Sequence, residues 1–425
     1  MGKSRRQRSV EWNPGGEVPL RWTIVRFGSL APSASFGVPF LVIRKMDEQL
    51  ALRLLRRIMQ WGEDVATQEY AWVRLLAGLK YDGYGDYVAG VRFAESLAGW
   101  LAQFEQGDRQ TAYDFVKHRL VYFSGGEVKR LVVELQPRFV EPMLRKAVSD
   151  ACKVPAYLTF ADPNASAELR RRRRQTLYIG LSDGARIDVL RRANAGTLVN
   201  DQIVLAAHID HEKWEDLSSN LATDLAKLGG TGKALFRNVV LIDDFTASGT
   251  TFVRKKDNGK WTGKIYKFFT AVAETRKQFL ENNKHFPLAP DAAMRVHHYI
   301  STTQARNAIL TRLDAVKADV TGWFPDVTVT EGLLLPPTVT VDEQRDPEIW
   351  KLTEKYYDPD IYEQLKAHLS ADQKDLKRGY ADCALPVVLE HNCPNNSLTL
   401  LWAETEGKGG AHPMRALFPR RHRHS

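Results

Sequence analysis

The chain has 425 residues, of which 44% are hydrophobic and 26% are charged, and its formal net charge is +9. This composition excludes a disordered or fibrous protein, and the length favours two or three domains. No window holds 18 uninterrupted apolar residues, and three cysteines cannot form a disulfide framework, so we expect a cytoplasmic protein without a membrane span.

The first 150 residues are predicted to be mostly helical. Extended segments at residues 20–28 and 36–46 precede a change of pattern near Asp47. From there to Val148, apolar residues recur every three or four positions, which is the period of an amphipathic helix. The helical segments are residues 47–61, 67–79, 87–106, 108–123 and 125–148. We assign residues 1–150 to one domain, with partner or nucleic-acid binding as a role open to it.

Strands and helices alternate along the next part of the chain. The strand candidates are residues 176–181, 201–209, 238–242, 293–301 and 326–336, and amphipathic helical segments separate them. This alternation predicts a parallel sheet with helices on both faces. We therefore assign an α/β core to residues 151–345, and a cap that begins with two helices and ends irregularly to residues 346–425.

The stretch "VVLIDDFTASGTT", residues 239–251, places Asp243 and Asp244 directly after an apolar strand candidate. In parallel sheets, ligands bind beyond the carboxyl ends of the strands. Two adjacent carboxylates are suited to accepting hydrogen bonds from a vicinal diol. A loop rich in small and hydroxylic residues follows, and we expect it to lead into a helix whose N-terminus helps to hold an anion. The loop residues are Thr246, Ala247, Ser248, Gly249 and Thr250. A diol beside a monophosphate describes ribose 5-phosphate.

This stretch resembles the thirteen-residue signature of type I phosphoribosyltransferases. The resemblance implies that Asp243 and Asp244 hold the ribose hydroxyls of 5-phosphoribosyl 1-pyrophosphate (PRPP), and that residues 246–250 hold its 5-phosphate. It also implies Mg²⁺ as the cofactor, with the two aspartates contacting the metal indirectly, through the ribose.

A second loop, "LSDGAR" at residues 181–186, resembles the pyrophosphate loop of the same family. The resemblance implies that Arg186 supplies a cation to the leaving group, which makes it a catalytic candidate beside Asp243 and Asp244. The candidate residues of this loop are Ser182, Asp183, Gly184 and Arg186. A tight turn with a surface arginine is the alternative interpretation.

Two segments depart from the family pattern. Where the family has a flexible catalytic loop, this chain has "AAHIDHEKWEDL", in which His208, His211 and Lys213 are candidates for its role. The two histidines are also spaced as a metal pair, although exposed side chains at a strand end are the simpler interpretation. Residues 254–268 form a basic insertion, with a hairpin turn predicted at residues 257–259.

The C-terminal segment "LEHNCPNNSLTLLW…ALFPR" resembles the ending of phosphoribosyltransferase-like proteins from bacterial conflict systems, including retron-associated anti-phage loci. The resemblance covers about residues 110–425 and implies a hood that recognises a base or another acceptor. The hood candidates are His391, Asn392, Asn395, Asn396 and Trp402. An irregular structural cap is the alternative. Zinc binding by Cys383, His391, Cys393 and His412 is disfavoured, because their spacing fits no known pattern.

The resemblance implies a toxic anti-phage effector of the pentosyltransferase type, which acts on a nucleotide or a macromolecule. A regulator that binds PRPP or a nucleotide without catalysis is one alternative. The other is a subunit that associates with nucleic acid, in a complex with a reverse transcriptase and its DNA or RNA, or with another defence protein. The arginine runs at residues 170–174 and 420–424 motivate it, although solvated charge explains them equally well. Association with a second copy of the chain also stays open.

Overall fold

The computed structural model describes residues 48–85, 87, 92–230, 232–369 and 373–420. The helices are α1 (Glu48–Met59), α2 (Glu63–Leu79), α3 (Phe93–Ala102), α4 (Arg109–His118), α5 (Gly125–Glu134), α6 (Glu141–Cys152), α7 (Pro163–Arg174), α8 (Ile187–Ala193), α9 (His211–Lys227), α10 (Lys264–Glu281), α11 (Thr303–Asp319), α12 (Pro347–Lys355), α13 (Asp360–Leu365) and α14 (Thr399–Trp402). The strands are β1 (Val121–Phe123), β2 (Thr176–Gly180), β3 (Ile203–Leu205), β4 (Phe236–Thr246), β5 (Arg254–Lys255), β6 (Trp261–Thr262), β7 (Leu288–Thr302), β8 (Val327–Leu335) and β9 (Val387–Leu389). The strands expected at residues 20–28 and 36–46 lie outside the described residues, and so do residues 421–424 of the C-terminal basic run.

The core is a five-stranded sheet in which every neighbouring pair is parallel, in the order β3-β2-β4-β7-β8. Consecutive side chains of a strand point to opposite faces, so β4 contributes to two separate cores. Val239 and Leu241 pack with residues of α9, α10 and α11, whereas Val240 and Ile242 pack with residues of α5, α6, α7 and α8. Helices therefore cover both faces, which confirms the α/β fold predicted from the alternating pattern.

The N-terminal helices and the C-terminal segment share one hydrophobic core. Phe93 of α3 stacks on Phe418, and Trp100 of α3 donates from Nε1 to the carbonyl oxygen of Leu400 at 2.7 Å. Strand β1, which follows the N-terminal helices, pairs in parallel with β9. The division into domains at residues 150 and 345 stays a prediction.

Several predicted elements are shorter in the structure, for reasons that lie in tertiary pairing. In the segment expected to be helical at residues 108–123, the helix ends at His118, because residues 121–123 form a strand that pairs with β9. The strand expected at residues 201–209 is limited to Ile203–Leu205, which pairs along one edge with β2. Among the described residues of the helix expected at 87–106, α3 begins at Phe93 and ends at Ala102.

Most arginines of the run at residues 170–174 form ion pairs within the fold. Arg171 and Arg172 pair with Glu168 on the same helix, and Arg173 pairs with Glu141 of α6. Arg174 is buried between Asp201 and Asp224. These pairs neutralise most of the charge that had suggested a nucleic-acid or polyphosphate surface. In the described part of the chain, no helix is long and apolar enough to cross a bilayer.

Candidate active site

The two aspartates lie inside β4, not after it as the sequence had suggested. The ladder between β4 and β2 ends at the pair Ile242–Gly180, but the ladder with β7 continues to the pair Thr246–Ser301. Asp243 and Asp244 therefore stand where β2 has ended and β7 still supports the strand. Because side chains alternate along β4, the two carboxylates leave on opposite faces of the sheet.

Asp243 is buried and has a partner on each carboxylate oxygen. Ser182 donates from Oγ to Oδ1 at 2.6 Å, and Lys264, the first residue of α10, donates from Nζ to Oδ2 at 2.5 Å. Burial raises the pKa of Asp243, and the nearby charge of Lys264 opposes that shift. Lys264 lies within the basic insertion at residues 254–268, but that pattern alone does not indicate that its side chain reaches Asp243.

Asp244 faces the C-terminal segment and is partly exposed. His391 Nε2 lies 3.0 Å from Asp244 Oδ2, and Arg186 Nη2 lies 3.3 Å from both His391 Nδ1 and Glu390 Oε1. Because a guanidinium can only donate, His391 Nδ1 accepts and Nε2–H donates to Asp244. Burial alone would raise the pKa of Asp244, but the hydrogen bond from His391 and nearby positive charge lower it to about 2.

The predicted pyrophosphate loop lies directly against Asp244. A Cβ atom added to Gly184 would stand 2.2 Å from Asp244 Oδ2, so a larger residue would displace the loop or the Asp244 side chain. Arg186 has a left-handed backbone with φ of 47°, which is uncommon for a residue other than glycine and is often found at functional sites. Tyr299 of β7 donates from its hydroxyl to the carbonyl oxygen of Ala185 at 2.8 Å and fixes the turn. Asp183 is exposed.

The loop after Asp244 does not lead straight into a helix, which corrects the prediction of a helix N-terminus at the anion site. The antiparallel pair β5–β6 is inserted first, as the turn at residues 257–259 had predicted, and α10 begins only at Lys264. Lys264 and Ile265 donate their N–H groups to the carbonyl oxygens of Thr251 and Phe252. These N–H groups are therefore not available to an anion, and the loop must bind one through its own groups.

The loop itself carries an unpaired hydroxyl and two further hydroxyl groups that contact each other, one of which also contacts Tyr380 of the C-terminal segment. Among the described residues, Thr246 Oγ1 is buried without a hydrogen-bond partner. Ser248 Oγ lies 2.8 Å from Thr250 Oγ1, which lies 3.3 Å from the hydroxyl of Tyr380. Gly249 has φ of +70° and packs against α11. Ala247 is held by a hydrogen bond from Thr302 to its carbonyl oxygen.

Two arginines approach the same loop from outside the signature. Arg312 of α11 donates to the carbonyl oxygen of Ser248 at 3.4 Å, and Arg254 of β5 donates to that of Thr250 at 3.2 Å. Both guanidinium groups bring positive charge to the edge where a phosphate is expected. The basic composition of residues 254–268 was a signal for Arg254, but nothing in the sequence distinguished Arg312 from other helical arginines.

A model of the family described as PRTase-CE matches residues 97–420, about three quarters of the chain. This chain belongs to the PRTase-CE family. The matched region includes both loops of the site and the C-terminal segment, and the protein is phosphoribosyltransferase-like. Searches of curated proteins and of solved structures gave no match.

Of the five hood candidates in this PRTase-CE protein, His391 is the one that contacts an aspartate of the site, Asp244. Asn396 donates from Nδ2 to the carbonyl oxygen of Tyr380, and Trp402 donates from Nε1 to that of Ser397. The backbone groups of Asn392 and Asn395 hold turns with Leu389 and Tyr380. Hydrogen bonds of this kind are typical of a structural cap. An acceptor-binding role for these four residues stays a prediction.

The remaining metal and catalytic-loop candidates are not assembled around the aspartates of the PRTase-CE site. His211 begins α9, where it contacts Glu215 and the ring of Phe279, and His208 is exposed on a turn. Within the described ranges, no group of three metal-ligating side chains is present. Burial raises the pKa of the thiols of Cys383 and Cys393 to about 12.

Proposed function

We propose that the protein binds PRPP, or a related ribose 5-phosphate compound, together with Mg²⁺ at the carboxyl ends of β2 and β4. We further propose that it is a pentosyltransferase-type effector of an anti-phage system, acting on a nucleotide or a macromolecule. The observation that supports this most strongly is the contact between Gly184 and Asp244, because it joins the predicted pyrophosphate loop to the predicted ribose-binding acid.

The two acids have different parts in this proposal. Asp244 is charged and partly exposed, so its carboxylate can accept hydrogen bonds from the ribose hydroxyls. Asp243 is buried between Ser182 and Lys264, which makes it the support that fixes the end of β4 and the adjoining loop. A diol that binds Asp244 competes with His391 Nε2–H, so binding and movement of the C-terminal segment are coupled.

The 5-phosphate would lie on the loop from Thr246 to Thr250. The hydroxyl of Thr246 is the donor that no described residue uses, and Arg312 and Arg254 supply positive charge beside the loop. Such charge-assisted contacts hold a phosphate more strongly than neutral hydrogen bonds do. Arg186 would hold the pyrophosphate, and the contact of its turn with Asp244 through Gly184 supports this role.

The residues present fit a magnesium ion that arrives with the substrate. Mg²⁺ is commonly held by one or two carboxylates together with substrate phosphates, and the partly exposed Asp244 is a carboxylate that would contact it there. When bound, the ion would neutralise charge on the departing pyrophosphate.

Isothermal titration with PRPP, with and without Mg²⁺, tests the binding step. We expect Asp244→Asn to weaken binding by roughly 10- to 100-fold, since hydrogen bonds to charged groups contribute about 1.5–3 kcal/mol. Asp314→Asn, on the exposed face of α11, is the matched control and should bind as the wild type does. If the wild type shows no binding of PRPP, the proposal is wrong.

A regulator without catalysis is the second candidate, and one observation favours it. Both aspartates already have basic partners within the fold, Lys264 and His391, as in a site arranged for reversible binding. Release of pyrophosphate from PRPP, measured with a panel of nucleobases, nucleotides and RNA, separates the two. Expression in cells of wild type and Asp244→Asn then tests the effector proposal, which requires growth arrest by the wild type alone.

A further inference from the structure

The basic insertion that follows the phosphate loop (residues 246–250) folds as a hairpin with two different faces. Strands β5 and β6 are antiparallel with Arg254 opposite Thr262, and the N–H of Lys256 donates to the carbonyl oxygen of Lys260 at 2.8 Å, so these two lysines are also opposite each other. Side chains alternate between the faces of a strand, and cross-strand partners share a face. Arg254, Lys256 and Lys260 therefore lie on the same face of the hairpin.

The opposite face of the hairpin has its charge neutralised within the fold. Lys255 Nζ lies 2.7 Å from Asp319 Oδ2, and Trp261 donates from Nε1 to the same oxygen at 3.1 Å. This face is therefore turned toward the end of α11. Lys264, at the start of α10, is likewise paired, with the buried Asp243. The fold thus accounts for these two lysines of the insertion.

The face that carries Lys256 and Lys260 keeps its positive charge. Both lysines are exposed, and within the described ranges no carboxylate pairs with either of them. Asp257, the acid next to Lys256 at the hairpin tip, is also exposed. Like charges directly opposite each other destabilise a pair of strands. The stability of the fold therefore does not explain two lysines at these positions.

Arg254 connects this face to a second arginine, Arg312 of α11. Arg254 donates to the carbonyl oxygen of Thr250 at 3.2 Å, and Arg312 donates to that of Ser248 at 3.4 Å. Both arginines are partly buried, and in the part of the chain that the structure describes no acid pairs with either. Burial lowers the pKa of Arg312, and the charge of Arg254 lowers it further. The two guanidinium groups therefore repel each other beside the phosphate loop.

We call the four cations Arg312, Arg254, Lys256 and Lys260 the hairpin surface. It begins at the phosphate loop and ends at the hairpin tip, and residues 254 and 256 alone are about 7 Å apart at the usual rise of a strand. A single phosphate on the loop would not reach both pairs of cations. A ligand that carries a negative charge on each of several successive units would relieve the repulsion in both pairs. A phosphodiester backbone has this pattern of charge.

We propose that the hairpin surface binds the backbone of a single-stranded nucleic acid and presents one of its nucleotides to the neighbouring ribose-phosphate site. This inference rests on the proposed function, and it names the macromolecule on which that site acts. Arg312 and Arg254 would hold the phosphate nearest the loop, because a guanidinium matches the geometry of phosphate oxygens, and the two lysines would hold the phosphates that follow. A single strand is the form that fits, because a base in a duplex is stacked and paired and must be extruded before an enzyme can reach it.

Fluorescence anisotropy with labelled oligothymidylate and oligouridylate measures this binding. With about four phosphate contacts, we expect the logarithm of the binding constant to fall with the logarithm of the salt concentration, with a slope of about −3. Lys256→Gln/Lys260→Gln removes two contacts, so the slope should become about −1.5 and the affinity in about 0.1 M salt should fall by roughly 10- to 30-fold. Because both lysines are exposed and repel each other, the thermal stability of this variant should be unchanged or higher.

Lys146→Gln/Lys351→Gln is the control, because it removes the same net charge at exposed lysines that pair with acids of their own helices. It should bind the oligonucleotides as the wild type does. An equal loss in the control, a wild type that binds no oligonucleotide, or one that binds a duplex or polyglutamate as tightly as the single strand would overturn the proposal. PRPP titration keeps the two proposals apart. Lys256→Gln/Lys260→Gln should bind PRPP as the wild type does, and a wild type that does not bind PRPP would count against the ribose-phosphate site and not against the hairpin surface.

Discussion

His391 donates from Nε2 to Asp244 Oδ2 at 3.0 Å and so connects the C-terminal segment to the acid at the exposed side of the proposed site. The same ring accepts from Arg186, which also contacts Glu390. One imidazole therefore links the loop after β2, the carboxyl end of β4 and the segment after β9. A ligand that enters between Asp244 and His391 therefore changes the contacts of all three segments.

We expect His391→Leu to raise the pKa of Asp244 from about 2 toward its ordinary value of 3.8. A depressed carboxylate pKa stabilises the fold above pH 3.8, and this contribution is lost as the pH falls from 3.8 to 2. Its upper bound is about 2.5 kcal/mol. Titration of the Asp244 carboxyl by ¹³C NMR measures the shift. His412→Leu, whose ring contacts a backbone carbonyl, should leave it unchanged, and an unaltered Asp244 in His391→Leu would contradict the assignment.

Gly184→Ala should impair ligand binding by forcing the loop away from Asp244. The added Cβ would stand 2.2 Å from a carboxylate oxygen of Asp244, so the loop or that side chain must shift. We expect a loss of about 1–3 kcal/mol in the free energy of unfolding, as for overpacked sites, and weaker PRPP binding. Gly232→Ala is the control, because a Cβ there meets nothing within 4 Å. Wild-type PRPP affinity in Gly184→Ala would show that the two loops do not act together.

The sequence was sufficient for the parallel sheet, because apolar strands that alternate with amphipathic helices are local patterns, and the family resemblance singled out the two loops in which Gly184 and Asp244 lie in contact. It was not sufficient for the end of β4, since the strand continues only because β7 pairs with it as far as Thr246. Nor could it predict that Lys264 reaches Asp243, because the inserted hairpin separates them along the chain. These features depend on partners that are distant in sequence.

Lys264→Met should destabilise the protein, because it leaves the buried carboxylate of Asp243 without its cation. We expect a loss of about 3 kcal/mol in the free energy of unfolding, as measured by urea denaturation. Adding Asp243→Asn should recover part of that loss, because the unpaired charge is removed. Lys255→Met is the control: its pair with Asp319 is exposed, so its loss should cost less than about 1 kcal/mol. Equal effects of the two lysine variants would contradict the role given to Lys264.

Thr246→Val should separate stability from ligand binding. The Thr246 hydroxyl is buried and has no partner among the described residues, so replacing it with a methyl group of similar size should leave the free energy of unfolding unchanged or higher. If that hydroxyl contacts the 5-phosphate, PRPP affinity should fall by roughly 5- to 30-fold. Thr353→Val is the matched control, because Thr353 is also buried and its hydroxyl donates to the carbonyl oxygen of Trp350. In that variant, the free energy of unfolding should fall by about 1 kcal/mol and PRPP affinity should be unchanged. Thermal unfolding and PRPP titration of both variants distinguish a hydroxyl that binds the ligand from one that stabilises the fold. A Thr246→Val variant that is destabilised but binds PRPP normally would show that the Thr246 hydroxyl stabilises the fold.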